Sequence, residues 1–178
     1  MFSPGPAYTE IGSQPERMSF SMIKLKPLLL SLLISLGVGG LSALLTKDSM
    51  EQYRALKQPP LSPPGWLFPV VWSILFLLMG IAAYRVWMED GTGRNGALIL
   101  YGIQLAFNFF WTLIFFNMGN YALAFFWLLA LWILILLTTL RFFKEDTIAG
   151  WLMVPYLLWV AFAGYLNAGV WLLNPLPA

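Results

Sequence analysis

Five long apolar runs, separated by short polar segments, dominate the chain. They lie at about residues 27–45, 66–88, 96–116, 120–141 and 149–173. Each has the roughly 20 residues that a helix needs to cross a hydrocarbon core about 30 Å thick. Lipid offers the backbone no hydrogen-bond partner, so such runs must be helical, and the strict alternation of β-barrel strands is absent. The pattern predicts an all-α membrane protein, a bundle of five transmembrane helices.

The amino-terminal stretch differs from the rest. Residues 1–23 are rich in Pro, Gly and Ser and have no apolar period, which predicts a disordered tail or an upstream extension. We therefore place the five-helix domain at residues 24–175. Lys24 and Lys26 before the first apolar run imitate a signal peptide, but the run is long for one and we interpret it as a span.

The first loop, residues 46–65, is longer than the other three. Asp48 or Ser49 is predicted to cap a short helix that ends near Lys57. Prolines at positions 59, 60, 63 and 64 then impose extended or turn backbone. We expect a stiff loop that folds over one end of the bundle.

Basic residues predict the orientation of these spans. The side that holds the amino terminus and the second and fourth loops carries Arg17, Lys24, Lys26, Arg85, Arg94, Arg141 and Lys144. The opposite side carries only the three basic residues of the first loop, Lys47, Arg54 and Lys57. Because basic loops stay on the cytoplasmic side, we expect a cytoplasmic amino terminus.

Composition then excludes several kinds of site. The chain is 60% hydrophobic and 10% charged, against about 25% charged in soluble domains. It has no Cys and no His, which rules out disulfides, thiolate chemistry and imidazole ligands, and we predict no metal and no resident cofactor. The basic residues do not cluster on one face, so no nucleic-acid partner is expected. The spans hold no charged residue away from their ends, which disfavours ion-coupled transport and carboxylate catalysis.

Uncharged polar and aromatic residues remain as candidates for a binding site. Gln104, Asn108 and Thr112 recur every four residues and form one stripe on the third span. That stripe either bonds neighbouring helices together or faces a ligand cavity. Trp72 and Trp159 lie well inside their spans, deeper than an interfacial belt requires, and their ring faces suit a flat conjugated ligand.

Small residues on the third span indicate a helix contact. Gly102 and Ala106 are four residues apart and permit close approach of another helix. The pair predicts either a homodimer through this span or a contact inside the bundle.

Three segments carry a resemblance to a known family: P-P-G-W-L-F-P-V-V-W at 63–72, Q-L-A-F-N-F-F-W-T at 104–112 and P-Y-L-L-W-V-A-F-A-G-Y-L-N at 155–167. In this order they resemble the tryptophan-rich sensory protein family, whose mammalian members are the translocator proteins, or peripheral benzodiazepine receptors. The resemblance covers about residues 25–174. It implies a five-helix bundle in the membrane lipid, usually dimeric, whose cavity is closed by the first loop.

The resemblance also implies ligands and residues. Family members bind tetrapyrroles such as protoporphyrin IX and benzodiazepine- or isoquinoline-like compounds. By motif match, Trp72 and Trp159 correspond to tryptophans implicated in porphyrin binding and degradation, Asn108 to a cavity amide, and Ala163 to a small-residue position. Their expected neighbours are Trp66, Phe76, Gln104, Tyr156, Phe162 and Leu166. Animal members carry a cholesterol motif that needs a basic residue soon after Tyr165; none follows here, so we expect a bacterial-type protein of the cell membrane rather than a sterol binder.

Three functions fit these expectations. The first is a receptor or sensor of tetrapyrroles, with a role in stress response. The second is an enzyme that degrades porphyrin in light, in which Trp72 and Trp159 would act as catalytic residues. The third is a facilitator that moves porphyrins across the bilayer. The sequence supplies no general base, nucleophile or coupling ion that would single out the second or third.

Overall fold

Six α-helices form the part of the chain that a computed structural model describes, residues 24–174. The predicted tail at 1–23 lies outside these residues. The helices are α1 (Leu25–Thr46), α2 (Met50–Ala55), α3 (Leu67–Met88), α4 (Arg94–Thr112), α5 (Tyr121–Glu145) and α6 (Thr147–Leu173). A 3-10 turn at Lys47–Ser49 precedes α2, and a π-helical turn at Leu113–Asn117 extends α4.

Five of these helices are long and apolar enough to cross a membrane, which confirms the predicted all-α bundle. The described residues contain no strand. The largest difference from the predicted limits is at α5, which continues to Glu145 instead of ending near residue 141. The added residues include Lys144, whose long side chain can reach the membrane surface while its stem lies along the helix.

The spans form a ring in the order α1, α3, α6, α5, α4. The α1–α3 and α5–α6 pairs pack most extensively, and α1 meets α4 only lightly. Side chains such as Met79, Leu131, Met153 and Val160 are fully buried between the helices. Many Leu and Ile side chains instead face outward, as expected of a protein whose solvent is lipid.

The first span, α1, buries its polar residues and exposes its apolar ones, the reverse of a helix in a soluble protein. Its buried residues are Ser31, Ser35, Ser42 and Thr46, whereas most of its leucines are exposed. The Ser31 hydroxyl donates to the carbonyl of Gly80 on α3 at 2.7 Å. Small polar groups let membrane helices approach closely and bond to one another, so α1 attaches through hydroxyls rather than through an apolar face.

An ion pair closes the end of the bundle where the second and fourth loops lie. Arg85 donates from Nε and Nη2 to the two carboxylate oxygens of Asp146, at 3.0 and 2.6 Å. Asp146 also caps α6 by accepting from the N–H of Ala149. Burial alone would raise the pKa of this carboxyl, but the hydrogen bonds from Arg85 and Ala149 hold it below its ordinary value. The pair therefore ties the end of α3 to the start of α6.

The first loop covers the opposite end, and both of its ends are fastened. Near its start, Ser49 donates to the side chain of Asn117 at 2.9 Å. Near its end, the Tyr165 hydroxyl donates to the carbonyl of Pro60 at 2.8 Å. A Cβ at Gly169 would collide with the ring of Pro59, so the glycine lets the loop lie directly on α6. The loop is thus a lid over the bundle.

Candidate ligand cavity

A cavity of about 430 Å³ lies beneath this lid, between α1, α3, α4 and α6. Its size falls within the range of about 300–1,000 Å³ typical of small-molecule sites. α5 contributes no lining residue. The deep wall between α1 and α3 is tight, because a Cβ at Gly39 would collide with the ring of Phe76. The glycine therefore allows α1 to approach the Phe76 ring closely at this wall of the cavity.

The walls are mainly aromatic. The Trp72 ring on α3 lies 5.7 Å from that of Phe76 and 6.3 Å from that of Trp111, with interplanar angles near 30°. From α6, Trp159 lines the same cavity and packs edge-on against Phe68 at 6.2 Å. The two tryptophans that the sequence singled out thus reach one space from different helices.

The indole of Trp159 differs from those that serve packing. Trp127 and Trp132 donate their N–H groups to the backbone carbonyls of Phe107 and Leu157. The Nε1 of Trp159 is buried and has no hydrogen-bond partner among the described residues, and the same holds for the hydroxyl of Ser42. Because unpaired buried polar groups are costly, two unpaired groups on one cavity indicate that something else satisfies them.

Behind the cavity lies a buried polar chain. Asn108 donates from Nδ2 to the hydroxyl of Tyr156 at 2.8 Å, and that hydroxyl donates to Oε1 of Gln104 at 3.0 Å. Asn108 and Thr112 line the cavity, whereas Gln104 and Tyr156 do not. The polar stripe of the third span is therefore divided: its deep end binds helices together and its other end faces the cavity.

Most of the remaining predicted site residues line the cavity, and one does not. Trp66, Ala163 and Leu166 line the cavity, together with Phe76. Phe162 does not line it; its ring packs between those of Trp159 and Tyr165, at 5.6 and 6.1 Å.

Sequence reasoning missed the lid side of the cavity. Tyr53 on α2 packs against Phe115 and Phe116 at 5.8 and 5.6 Å, and all three residues line the space. Phe115 and Phe116 both belong to the π-helical turn that follows α4. Burial raises the pKa of the Tyr53 phenol above its ordinary value, so it stays a neutral donor. Lys47 and Arg54 also line this side. No local sequence signal pointed to these positions.

The described residues hold no group of three or more His, Cys, Asp or Glu side chains that could bind a metal ion. The cavity side chains therefore offer hydrogen bonds, stacking faces and two cations, but no metal ligand set and no carboxylate.

Gly102 and Ala106 lie outside the cavity, on the surface of α4. Both are exposed, and a Cβ at Gly102 would meet nothing within 4 Å. With Gly37 and Ile34 of α1 they border an apolar groove of about 450 Å³. Gly102 and Ala106 therefore do not form a tight contact with another helix of the same bundle.

Comparison with known proteins places the chain. The sequence model of the TspO/MBR family matches residues 30–172. The chain belongs to this family. It is 43% identical over 126 residues to protein CrtK of Rhodobacter capsulatus, which covers 69% of this chain and 78% of that protein. It is 39% identical over 152 residues to tryptophan-rich protein TspO of Chlorobaculum tepidum, covering 83% and 94%. It is 35% identical over 127 residues to the translocator protein of Homo sapiens, covering 70% and 75%.

Membership in the TspO/MBR family and the five apolar helices together establish an integral membrane protein. The cavity residues quoted above fall within the matched region.

Proposed function

We propose that this protein is a membrane receptor or sensor that binds a flat tetrapyrrole, such as protoporphyrin IX, in the cavity beneath the lid. Benzodiazepine- and isoquinoline-like compounds would occupy the same space. The observation that carries the proposal is the unpaired indole N–H of Trp159 on an otherwise aromatic cavity. A conjugated macrocycle offers a stacking surface to the rings and an acceptor to that donor.

Family membership supports this function. Relatives are named tryptophan-rich sensory protein and translocator protein. The cavity is largely apolar, which suits a ligand that is poorly soluble in water. A role in stress sensing follows if the occupied and empty forms differ in how the lid is held.

Titration with protoporphyrin IX, followed by tryptophan quenching and porphyrin absorbance, tests the proposal. Trp159→Phe keeps an apolar ring but removes the N–H, and should weaken binding about five- to tenfold, the value of one lost hydrogen bond of about 1 kcal/mol or slightly more. Trp151→Phe is the matched control, because Trp151 lies on the same helix with 64% of its surface exposed. Equal affinity in both variants and the parent would remove Trp159 from the site.

Porphyrin degradation in light is the second candidate. The specific observation in its favour is a run of neighbouring rings, in which Trp72 lies 6.3 Å from Trp111 and Trp111 lies 5.5 Å from Phe115. An excited porphyrin next to Trp72 could take an electron from an oxidisable indole. Absorbance traces of the complex in dark and in light distinguish the candidates: a stable complex in both supports the receptor, and loss of the porphyrin band only in light supports the enzyme. Trp72→Phe should then slow the loss.

We also propose that two copies associate through the apolar groove beside Gly102 and Ala106. Both positions are small and exposed, so the backbone of a partner helix could approach closely. Gly102→Leu should fill the groove and shift the protein toward monomer in native mass spectrometry from detergent. A dimer of undiminished strength would place the interface elsewhere.

A further inference from the structure

The charged groups of the cavity all lie at one end of it. Lys47, in the turn after α1, and Arg54, on α2, are its charged lining residues, and both belong to the lid. The remaining lining residues are apolar or uncharged. The cavity therefore has a neutral floor and a cationic rim.

Arg54 lies beside Gly65, which also lines the cavity. Its Nε and Nη2 lie 3.7 and 3.9 Å from where a Cβ of Gly65 would stand. The guanidinium thus rests against the turn that leads into Trp66 and α3.

Neither rim cation is paired with a carboxylate among the described side chains, where the one ion pair joins Arg85 and Asp146. Asp48, the acidic neighbour of Lys47, is exposed. By sequence, residues 46–65 hold three basic and two acidic residues. By sequence the lid therefore carries a net positive charge, and two of its cations line the cavity.

The cost of removing a carboxylate from water determines how a charged ligand would lie in the cavity. A carboxylate at the neutral floor would lose its hydration with no cation to compensate it, which is strongly unfavourable. A carboxylate at the rim keeps partial contact with water and meets a guanidinium whose fork matches its two oxygens. The flat apolar body of such a ligand would then extend from the rim toward the aromatic walls, which include Trp72 and Trp159.

We propose that Lys47 and Arg54 form an anion-selecting rim, so that the cavity prefers flat ligands with carboxylates along one edge and binds them edge-outward. This inference rests on the proposed function and determines which members of the ligand class bind best. Neutral flat compounds would use the aromatic floor alone and gain nothing from the rim.

The test compares protoporphyrin IX with its dimethyl ester, which keeps the macrocycle and neutralises both carboxylates. Affinities are measured for the parent protein, Arg54→Gln, Lys47→Gln and the double variant in a neutral detergent. For each ligand the ratio of variant to parent affinity is the measured quantity, so partition of the ligand into micelles cancels. Lys57→Gln is the matched control, because Lys57 is an exposed cation of the same lid that does not line the cavity.

We expect each single variant to weaken binding of the free acid about threefold or more, and the double variant about tenfold. The affinity for the ester should change less than twofold in these variants, and Lys57→Gln should change the affinity for neither ligand. Raising the salt concentration should weaken binding of the free acid but not of the ester, since salt screens interactions between exposed charges. Because Lys47 and Arg54 are exposed, these variants should fold like the parent and give an unchanged circular dichroism spectrum.

Two results would overturn the inference while leaving the proposed function intact. In the first, the acid and the ester respond equally to the rim variants. In the second, Lys57→Gln weakens the acid as much as Arg54→Gln does, which would assign the effect to the overall charge of the lid. A parent protein that binds neither porphyrin would instead contradict the proposed function itself.

Discussion

Lys57 and Asn174 exchange two hydrogen bonds, although 117 positions separate them. The N–H of Lys57 donates to Oδ1 of Asn174, and Nδ2 of Asn174 donates back to the carbonyl of Lys57, both at 2.9 Å. The same Nδ2 donates to the carbonyl of Val170 at the end of α6. A single amide therefore fastens the lid to the last turn of the helix that carries Trp159.

We predict that Asn174→Ala releases this end of the lid. Ligand should dissociate several-fold faster, because two hydrogen bonds of about 1 kcal/mol each hold the lid closed and part of that stabilisation is lost. Stopped-flow displacement of protoporphyrin IX measures the rate. Asn95→Ala, at an exposed position at the other end of the bundle, is the control. If both variants release ligand at the parent rate, the Asn174 contact does not limit ligand exit.

We predict that Ala163→Thr weakens ligand binding without unfolding the bundle. Ala163 lies one turn after Trp159, lines the cavity and is 7% exposed. Additional atoms in a tight space cost about 1–3 kcal/mol, or roughly tenfold or more in affinity.

The control for this substitution is Ala161→Thr, which makes the same chemical change on the exposed face of α6. Porphyrin titration and thermal unfolding in detergent are measured on both. An affinity of the Ala163 variant equal to that of the control would show that the ligand does not reach this position.

We predict that Tyr156→Phe destabilises the fold. The hydroxyl connects Asn108 on α4 to Gln104 one turn away, and the ring is fully buried. Its removal leaves an amide donor and an amide acceptor unpaired, so the free energy of unfolding should fall by about 1–2 kcal/mol.

Unfolding by heat or by sodium dodecyl sulfate measures this effect. Tyr84→Phe provides the comparison, because the Tyr84 hydroxyl accepts from the exposed N–H of Lys24, which water can also satisfy. Equal stability of the two variants would mean that the buried amides find other partners.

We predict that the lid faces outward and the second loop faces the cytoplasm. The sequence contains no cysteine, so a thiol reagent would label only the single cysteine introduced in each variant. Leu61→Cys, at a lid position with 83% exposure, should react with a membrane-impermeant maleimide on intact cells. Asp90→Cys, exposed in the second loop, should react only after the cells are broken. The reverse pattern would invert the orientation, and reaction of both on intact cells would contradict α3 as a span between them.

The sequence by itself determined the spans and the chemical character of the interior. Five apolar runs of about 20 residues must become helices because lipid leaves the backbone no other way to pair its polar groups. The absence of Cys, His and intramembrane charge is a property of composition, so it excludes thiol and imidazole chemistry and disfavours ion-coupled transport wherever the side chains point. The ordered motifs around Trp72, Asn108 and Trp159 were sufficient to indicate the family, which the comparisons confirmed.

Only the tertiary structure decided which side chains line the cavity. Lipid is as apolar as a protein core, so hydrophobicity does not mark the inner face of a membrane helix, and α1 buries serines while its leucines face outward. Periodicity placed Gln104 and Asn108 on one stripe. In the structure Gln104 accepts a hydrogen bond from the Tyr156 hydroxyl of another helix and does not line the cavity, whereas Asn108 does. The cations Lys47 and Arg54 reached the rim because the lid folds back over the bundle through contacts such as Lys57 with Asn174. No local pattern encodes contacts between residues so far apart in the chain.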